Sequence, residues 1–232
     1  MKIRQEIKSL ANPEKAKVLQ GFFKTGKGEY GEGDVFLGIT VPESRKLAIK
    51  YSNIPLNEIQ SLLDSKIHEE RLIALEILTH NYEKLTSEKS KEKIVKFYLS
   101  NTHFINNWDL VDTSASYILG NFLLDKDKSI LYKLSGSENI WEKRIAIIAT
   151  YAFIKKFQFQ DTLNIAEILL QDKHDLIQKA VGWMLREMGK KDQKILEDFL
   201  KKHYKIMPRT MLRYAIEKFP EKQRKRYLSG NI

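Results

Sequence analysis

The chain has no cysteine among its 232 residues. That absence excludes disulfides, Cys-ligated zinc and iron–sulfur clusters, and it narrows a covalent nucleophile to Ser, Thr, Lys or a carboxylate. Proline is scarce, with five residues, and tryptophan scarcer, with three. No apolar run approaches the roughly 18 residues that a membrane span requires. The start, Met1-Lys2-Ile3-Arg4-Gln5-Glu6, alternates charge and apolar side chains and leads into no signal-peptide-like apolar core. No stretch alternates apolar and polar residues with period two between hairpin turns, so no sheet is expected. These gaps point to an all-α protein of the cytoplasm with no membrane partner.

Positive charge is abundant. The net charge is +10, and it is concentrated late in the chain: from Lys179 to Arg226 there are 15 Lys and Arg against 6 Asp and Glu. Such asymmetry suits a polyanion, and nucleic acid is the usual one.

Helical periodicity runs through nearly the whole chain. Two short helices are expected over residues 2–10 and 13–24, with Asn12 as N-cap and Pro13 at the first helical position. The segment Thr25 to Gly38 holds Gly26, Gly28, Gly31 and Gly33 and reads as a mobile loop. Further helices are expected to begin at Val41-Pro42, near Pro55, His68 and Asn107, at Ser87, near Ser129, and at Ser137-Glu138, Asp161, Asp175, Lys191, Pro208 and Pro220.

Several helices carry a basic residue ahead of a small or apolar run, at Arg71, Arg144, Lys179 and Arg213. Trp108 falls midway between the first two, which gives a period of roughly 36 residues. That length fits stacked two-helix units. The expected fold is a single domain over 1–232, a curved solenoid of HEAT-like antiparallel helix pairs with a concave basic groove. Residues 1–40 would form N-terminal helices plus the glycine-rich loop, and 41–232 the stacked repeats. Arg71, Trp108, Arg144, Lys179 and Arg213 would then form a track along the groove, suited to a phosphate backbone.

Candidate chemistry narrows quickly. Gly21 to Gly28 nearly matches a phosphate-binding loop, but Gly28 stands where a magnesium-binding Ser or Thr belongs, and a helix precedes it rather than a strand. His68, His80, His103, His174 and His203 form no metal-ligand spacing, so neither metal nor cofactor is expected. Trp108 and Asp112 lie one helical turn apart on one face. Two readings of the tryptophans stand: core residues, or aromatic faces in a basic groove, where Trp183 one turn after Lys179 would join Trp108. Two readings of Asp112 also stand: a structural partner for Arg144, or a carboxylate that stabilises positive charge in a reaction. Asp109, at the helix start, reads as a favourable helix-dipole interaction.

A wider set of segments carries a resemblance. They are Asn12-Pro13-Glu14-Lys15-Ala16, Phe36-Leu37-Gly38-Ile39 with Pro42-Glu43-Ser44-Arg45, Trp108-Asp109-Leu110-Val111-Asp112, Asn139-Ile140-Trp141 with Arg144, and Ile177 to Trp183 with Leu185-Arg186-Glu187. Together the chain resembles the AlkD-like family of HEAT-repeat DNA glycosylases, the DNA alkylation repair proteins. The resemblance implies excision of N3- and N7-alkylated purines from duplex DNA without base flipping; a monomer is expected because a capped solenoid can stand alone. The resemblance places the catalytic set on Asp112, Trp108, Trp183 and Arg144; DNA contacts are expected from the basic track at Arg71, Lys179 and Arg213, together with Arg186. The resemblance departs at Asn107, where family members often carry a second aromatic, and at Thr25–Asp34, which looks inserted or remodelled. A related fold that binds DNA with weak or no excision is the alternative, and a protein-binding scaffold is a third.

Overall fold

The computed structural model describes residues 2–231. Among them every regular element is helical, and the one β-type pairing is an isolated bridge between Val35 and Ile67. No helix is long and apolar enough to cross a membrane among the described residues. The all-α expectation therefore holds.

The helices fall into two compact units, Met1–Ile118 and Leu119–Ile232. The first contains α1 (Lys2–Ser9), α2 (Pro13–Phe22), α3 (Val41–Lys50), α4 (Leu56–Leu63), α5 (His68–Lys84), α6 (Glu88–Ser100) and, after a 3-10 turn at Thr102–Phe104, the short α7 (Trp108–Asp112). The second contains α8 (Asn121–Leu123), α9 (Ser129–Ser135), α10 (Ile140–Ala149), α11 (Tyr151–Lys155), α12 (Gln160–Ile168), α13 (Asp175–Lys191), α14 (Gln193–His203), α15 (Arg209–Ala215) and α16 (Glu221–Ser229).

Each unit is organised around one 17-residue helix. In the first it is α5, packed against α3, α4, α6 and α7. Its apolar residues do not keep to one stripe: Leu72, Ile73, Ala74, Leu75, Ile77 and Leu78 are all buried. A helix apolar all round is a core helix. In the second unit α13 takes this place against α10, α12, α14 and α15. Gly182 permits its approach to α15, because a Cβ there would meet the Met211 carbonyl and the Tyr214 side chain.

Local start signals act much as the sequence predicts. Asn12 accepts a bond from Lys15 N at 3.0 Å, with Pro13 opening α2. Thr40 and Glu43 form a capping box on α3. One start differs: α10 is capped by Asn139, which accepts from Trp141 N at 2.9 Å, while Ser137 only accepts from Asn139 N. Asn139 wins because it stands two residues nearer the apolar stretch that must pack.

The glycine-rich segment, expected as a mobile loop, is anchored at three levels. Its backbone pairs with the entry to α5 through Val35 N to Lys66 O at 3.0 Å and His68 N to Val35 O at 2.9 Å. The buried Glu69 carboxylate accepts from the amides of Leu37, Gly38 and Ile39 at 2.8–3.2 Å. The buried Asp34 side chain bonds Arg71 and His68. Gly38 is required here: its φ is +83°, and a Cβ would run into the Asn12 carbonyl and the Ala16 amide.

Candidate DNA-repair site

The short helix α7 begins at Asn107, whose side-chain oxygen accepts from Trp108 N at 2.9 Å. The Asn107 amide nitrogen donates to Asp34 Oδ2 at 3.3 Å, so one buried side chain both starts α7 and ties it to the glycine-rich loop. Trp108 is half-buried. One of its faces lies on Phe23, with ring centroids 5.1 Å apart and planes inclined by 9°, and Phe22 meets it edge-on at 6.0 Å. Phe23 in turn stacks on Phe36 at 4.9 Å, and Phe36 on His68 at 4.5 Å.

The two carboxylates of α7 have different surroundings. Asp109 Oδ1 accepts from Leu110 N at 2.9 Å, and Oδ2 lies 2.8 Å from His68 Nε2. The dipole interaction expected for Asp109 is therefore joined by an ion pair. Asp112 instead borders an open cleft of about 390 Å³, together with Arg45, Glu76, His80, Glu83 and Tyr117. Burial raises the Glu76 carboxyl above its ordinary value, although Arg45 at 3.3 Å acts against that. A half-buried carboxylate on the wall of an open cleft can meet a ligand's developing positive charge.

His68 is 1 % exposed. Its Nδ1 lies 3.0 Å from Asp34 Oδ2, so both ring nitrogens face carboxylates. Burial alone would favour the neutral ring; Asp109 and Asp34 override it and lift the His68 pKa to about 9. Asp34, also opposed by burial, is held below the ordinary carboxylate value by His68 and Arg71.

In the second unit, Arg144 is buried on α10, and its NH1 donates to the Leu176 carbonyl at 2.6 Å. Trp183 is half-buried on α13; its indole N–H donates to Glu187 at 3.2 Å, and its ring lies 6.4 Å from Tyr151. Lys179, one turn earlier, pairs with Asp175 at 2.5 Å. Arg186 pairs with Glu217 and Glu187. Arg213 is exposed, as are Lys194, Lys201, Lys202, Lys205 and Arg209 nearby in sequence.

The expected track of equivalent basic positions is corrected in part. Arg71 is 3 % exposed, with NH2 on Asp34 at 2.6 Å and NH1 on the Ser65 carbonyl at 2.8 Å. Its guanidinium neutralises a buried carboxylate and is not presented to a phosphate. Arg144 is likewise buried, so the period-36 positions share a register in sequence without sharing an environment. The near phosphate-loop is also closed to phosphate: the amides of Gly26 and Gly28 are taken by the Glu29 and Glu32 carboxylates at 2.9 and 2.7 Å. Among the described residues no group of three or more His, Asp or Glu is placed to hold a metal ion.

The family model described as DNA alkylation repair enzyme matches residues 3–219. The chain belongs to the DNA alkylation repair enzyme family. A solved structure described as a predicted DNA alkylation repair enzyme from Enterococcus faecalis has a similar fold, with a TM-score of 0.72 at 21 % identity over 91 % of this chain and 97 % of that one. A comparison with curated proteins gives no match.

For a DNA alkylation repair protein, the residues that sequence reading missed are those behind the site. His68, Asp34 and Asn107 are more than 30 positions apart in pairs, and no short motif joins them. The available signal was the departure at Asn107; nothing in the sequence sets Asp34 apart from Glu29 and Glu32 in the same glycine-rich segment. Asn107 and Asp34 become intelligible once the fold brings them together.

Proposed function

We propose that the protein is a monofunctional DNA glycosylase that hydrolyses the N-glycosidic bond of cationic N3- and N7-alkylated purines in duplex DNA, without base flipping. It would act as a cytoplasmic monomer. The observation that carries this reading is the placement of Asp112, half-buried one turn after Trp108 on α7 and bordering an open cleft.

Alkylation at N3 or N7 gives the purine a positive charge and makes it a good leaving group. As the C1′–N bond breaks, its electron pair neutralises the base and the sugar becomes oxocarbenium-like. Asp112 stabilises that charge and orients the water that adds to C1′; the proton lost by the water passes to solvent. The products are a neutral free base and an abasic site. By the family resemblance, Trp108 and Trp183 hold the deoxyribose and its flanking backbone with their ring faces, and Arg144 grips a phosphate near the lesion, which requires its buried guanidinium to turn an N–H away from the protein, where NH1 now bonds the Leu176 carbonyl. Lys179, Arg186 and Arg213 add backbone contacts.

The test is release of 7-methylguanine from methylated duplex DNA by the wild type and by Asp112→Asn. Release that falls by about 100-fold in the variant, the order of effect seen when one transition-state electrostatic contact is removed, supports the reading. Equal release by both, or none by the wild type, overturns it. The contact between Phe23 and one face of Trp108 favours a second reading, a DNA-binding relative with weak excision. That reading predicts salt-dependent DNA binding without release.

A further inference from the structure

The buried polar residues behind α7 form one connected group. Asp34 comes from the glycine-rich loop, His68 and Arg71 from the first turn of α5, Asn107 from the cap of α7 and Asp109 from its first turn. His68 is the link: Nδ1 reaches the loop carboxylate and Nε2 the α7 carboxylate. A neutral imidazole has one N–H and one lone pair, so it would leave a lone pair facing a carboxylate oxygen at about 3 Å. Two carboxylates on opposite ring nitrogens are satisfied together only by the doubly protonated ring. The charged groups facing that ring are Asp34, Asp109 and Arg71, and Arg71 is itself neutralised by Asp34.

A second set of contacts runs parallel to this one. Phe23, just before the loop, and Phe36, near its end, lie between Trp108 and His68 in the aromatic stack. The loop is thus joined to α7 by ions on one side and by rings on the other. A five-residue helix has little stability of its own, so its placement depends on such ties.

We propose that His68 is a positioning residue: as an imidazolium between Asp34 and Asp109 it latches the glycine-rich loop onto the first turn of α7, and so sets where Trp108 and Asp112 stand. Its effect on excision rests on the reading of Asp112 given above. The latch itself does not, because it exists in the free protein.

Three measurements test it. In the wild type, nitrogen-15 NMR of the histidine rings at pH 7.5 should show both His68 nitrogens protonated; a neutral His68 overturns the latch. In His68→Gln and Asp109→Asn, amide exchange at Val35 and at Leu37–Ile39 should quicken by at least about tenfold, and the Trp108 indole resonance should move. Unchanged exchange with an unmoved indole overturns it. Asp109→Asn keeps shape and volume, so it decides the matter if His68→Gln does not fold. The third measurement is single-turnover release of 7-methylguanine. Both variants should slow it by about tenfold or more with affinity for undamaged duplex within twofold of wild type, because misplacement of the reacting group affects the rate step. Weakened affinity with an unchanged rate overturns the positioning role. If the wild type releases no base, the glycosylase reading fails, and the NMR and exchange results alone decide for or against the latch.

Discussion

His68 Nε2 lies 2.8 Å from Asp109 Oδ2, inside a protein whose proposed catalytic carboxylate, Asp112, is three residues further along the same short helix. The ion pair holds Asp109 behind α7, while Asp112 borders the cleft. It also makes the stability of the first unit depend on a histidine charge.

That dependence has a definite sign. The folded pKa of His68 is raised to about 9 from an ordinary 6.5. Its contribution is fully present below about pH 6.5, declines as pH rises, and is lost once pH passes about 9. The difference amounts to about 3 kcal/mol. Urea unfolding between pH 6 and 9.5 should therefore show wild-type stability falling toward that of His68→Gln as pH rises. Parallel pH profiles for the two proteins would refute the buried imidazolium.

Asn107 should matter to folding more than its side chain alone suggests. Asn107→Ala removes the cap of α7 and one of the partners of Asp34, at a cost of about 1–2 kcal/mol. Asn107→Asp retains the cap but sets a second carboxylate against Asp34, and should be no better than alanine at neutral pH. Denaturant midpoints of the two variants measure this.

Arg71 and Arg213 should separate cleanly. Arg71→Ala leaves the buried Asp34 without its guanidinium and should destabilise by about 3–5 kcal/mol. Arg213→Ala, at an exposed position, should leave stability within about 0.5 kcal/mol. If Arg213 contacts a phosphate, its loss should lower the salt slope of DNA binding by about one unit. Thermal melts and fluorescence anisotropy at several salt concentrations read both effects.

Gly182→Val should disturb the second unit. The added side chain overlaps the Met211 carbonyl and Tyr214, and α13 has to move off α15. A loss of about 1–3 kcal/mol is expected, visible as a lower thermal midpoint with the helical circular dichroism retained. An unchanged midpoint would show that the two helices are not held this closely.

Much of the fold was legible because its signals are local. Asn12-Pro13 caps and starts a helix through bonds reaching three residues, and the 3.6-residue rhythm that buries one face of α13 is carried by neighbours in the chain. The pairing of Trp108 with Asp112 at one helical turn is local in the same way. The uses of Arg71, Arg144 and the glycine-rich segment were not legible. Burial of a guanidinium depends on a carboxylate 37 positions away, and an isolated glycine-rich stretch gives no sign that Glu69 will accept from three of its amides.

The sequence by itself determined an all-helical chain, a net positive charge concentrated in its last fifth, and a tryptophan and an aspartate on one face of a short helix. Only the tertiary structure decided that Asp109 pairs with His68 and that Asp112 borders the cleft. The physical reason is that a charge's role depends on its distance from its partners. His68 comes within hydrogen-bonding reach of Asp34 and of Asp109 only after α5, α7 and the glycine-rich loop have packed together.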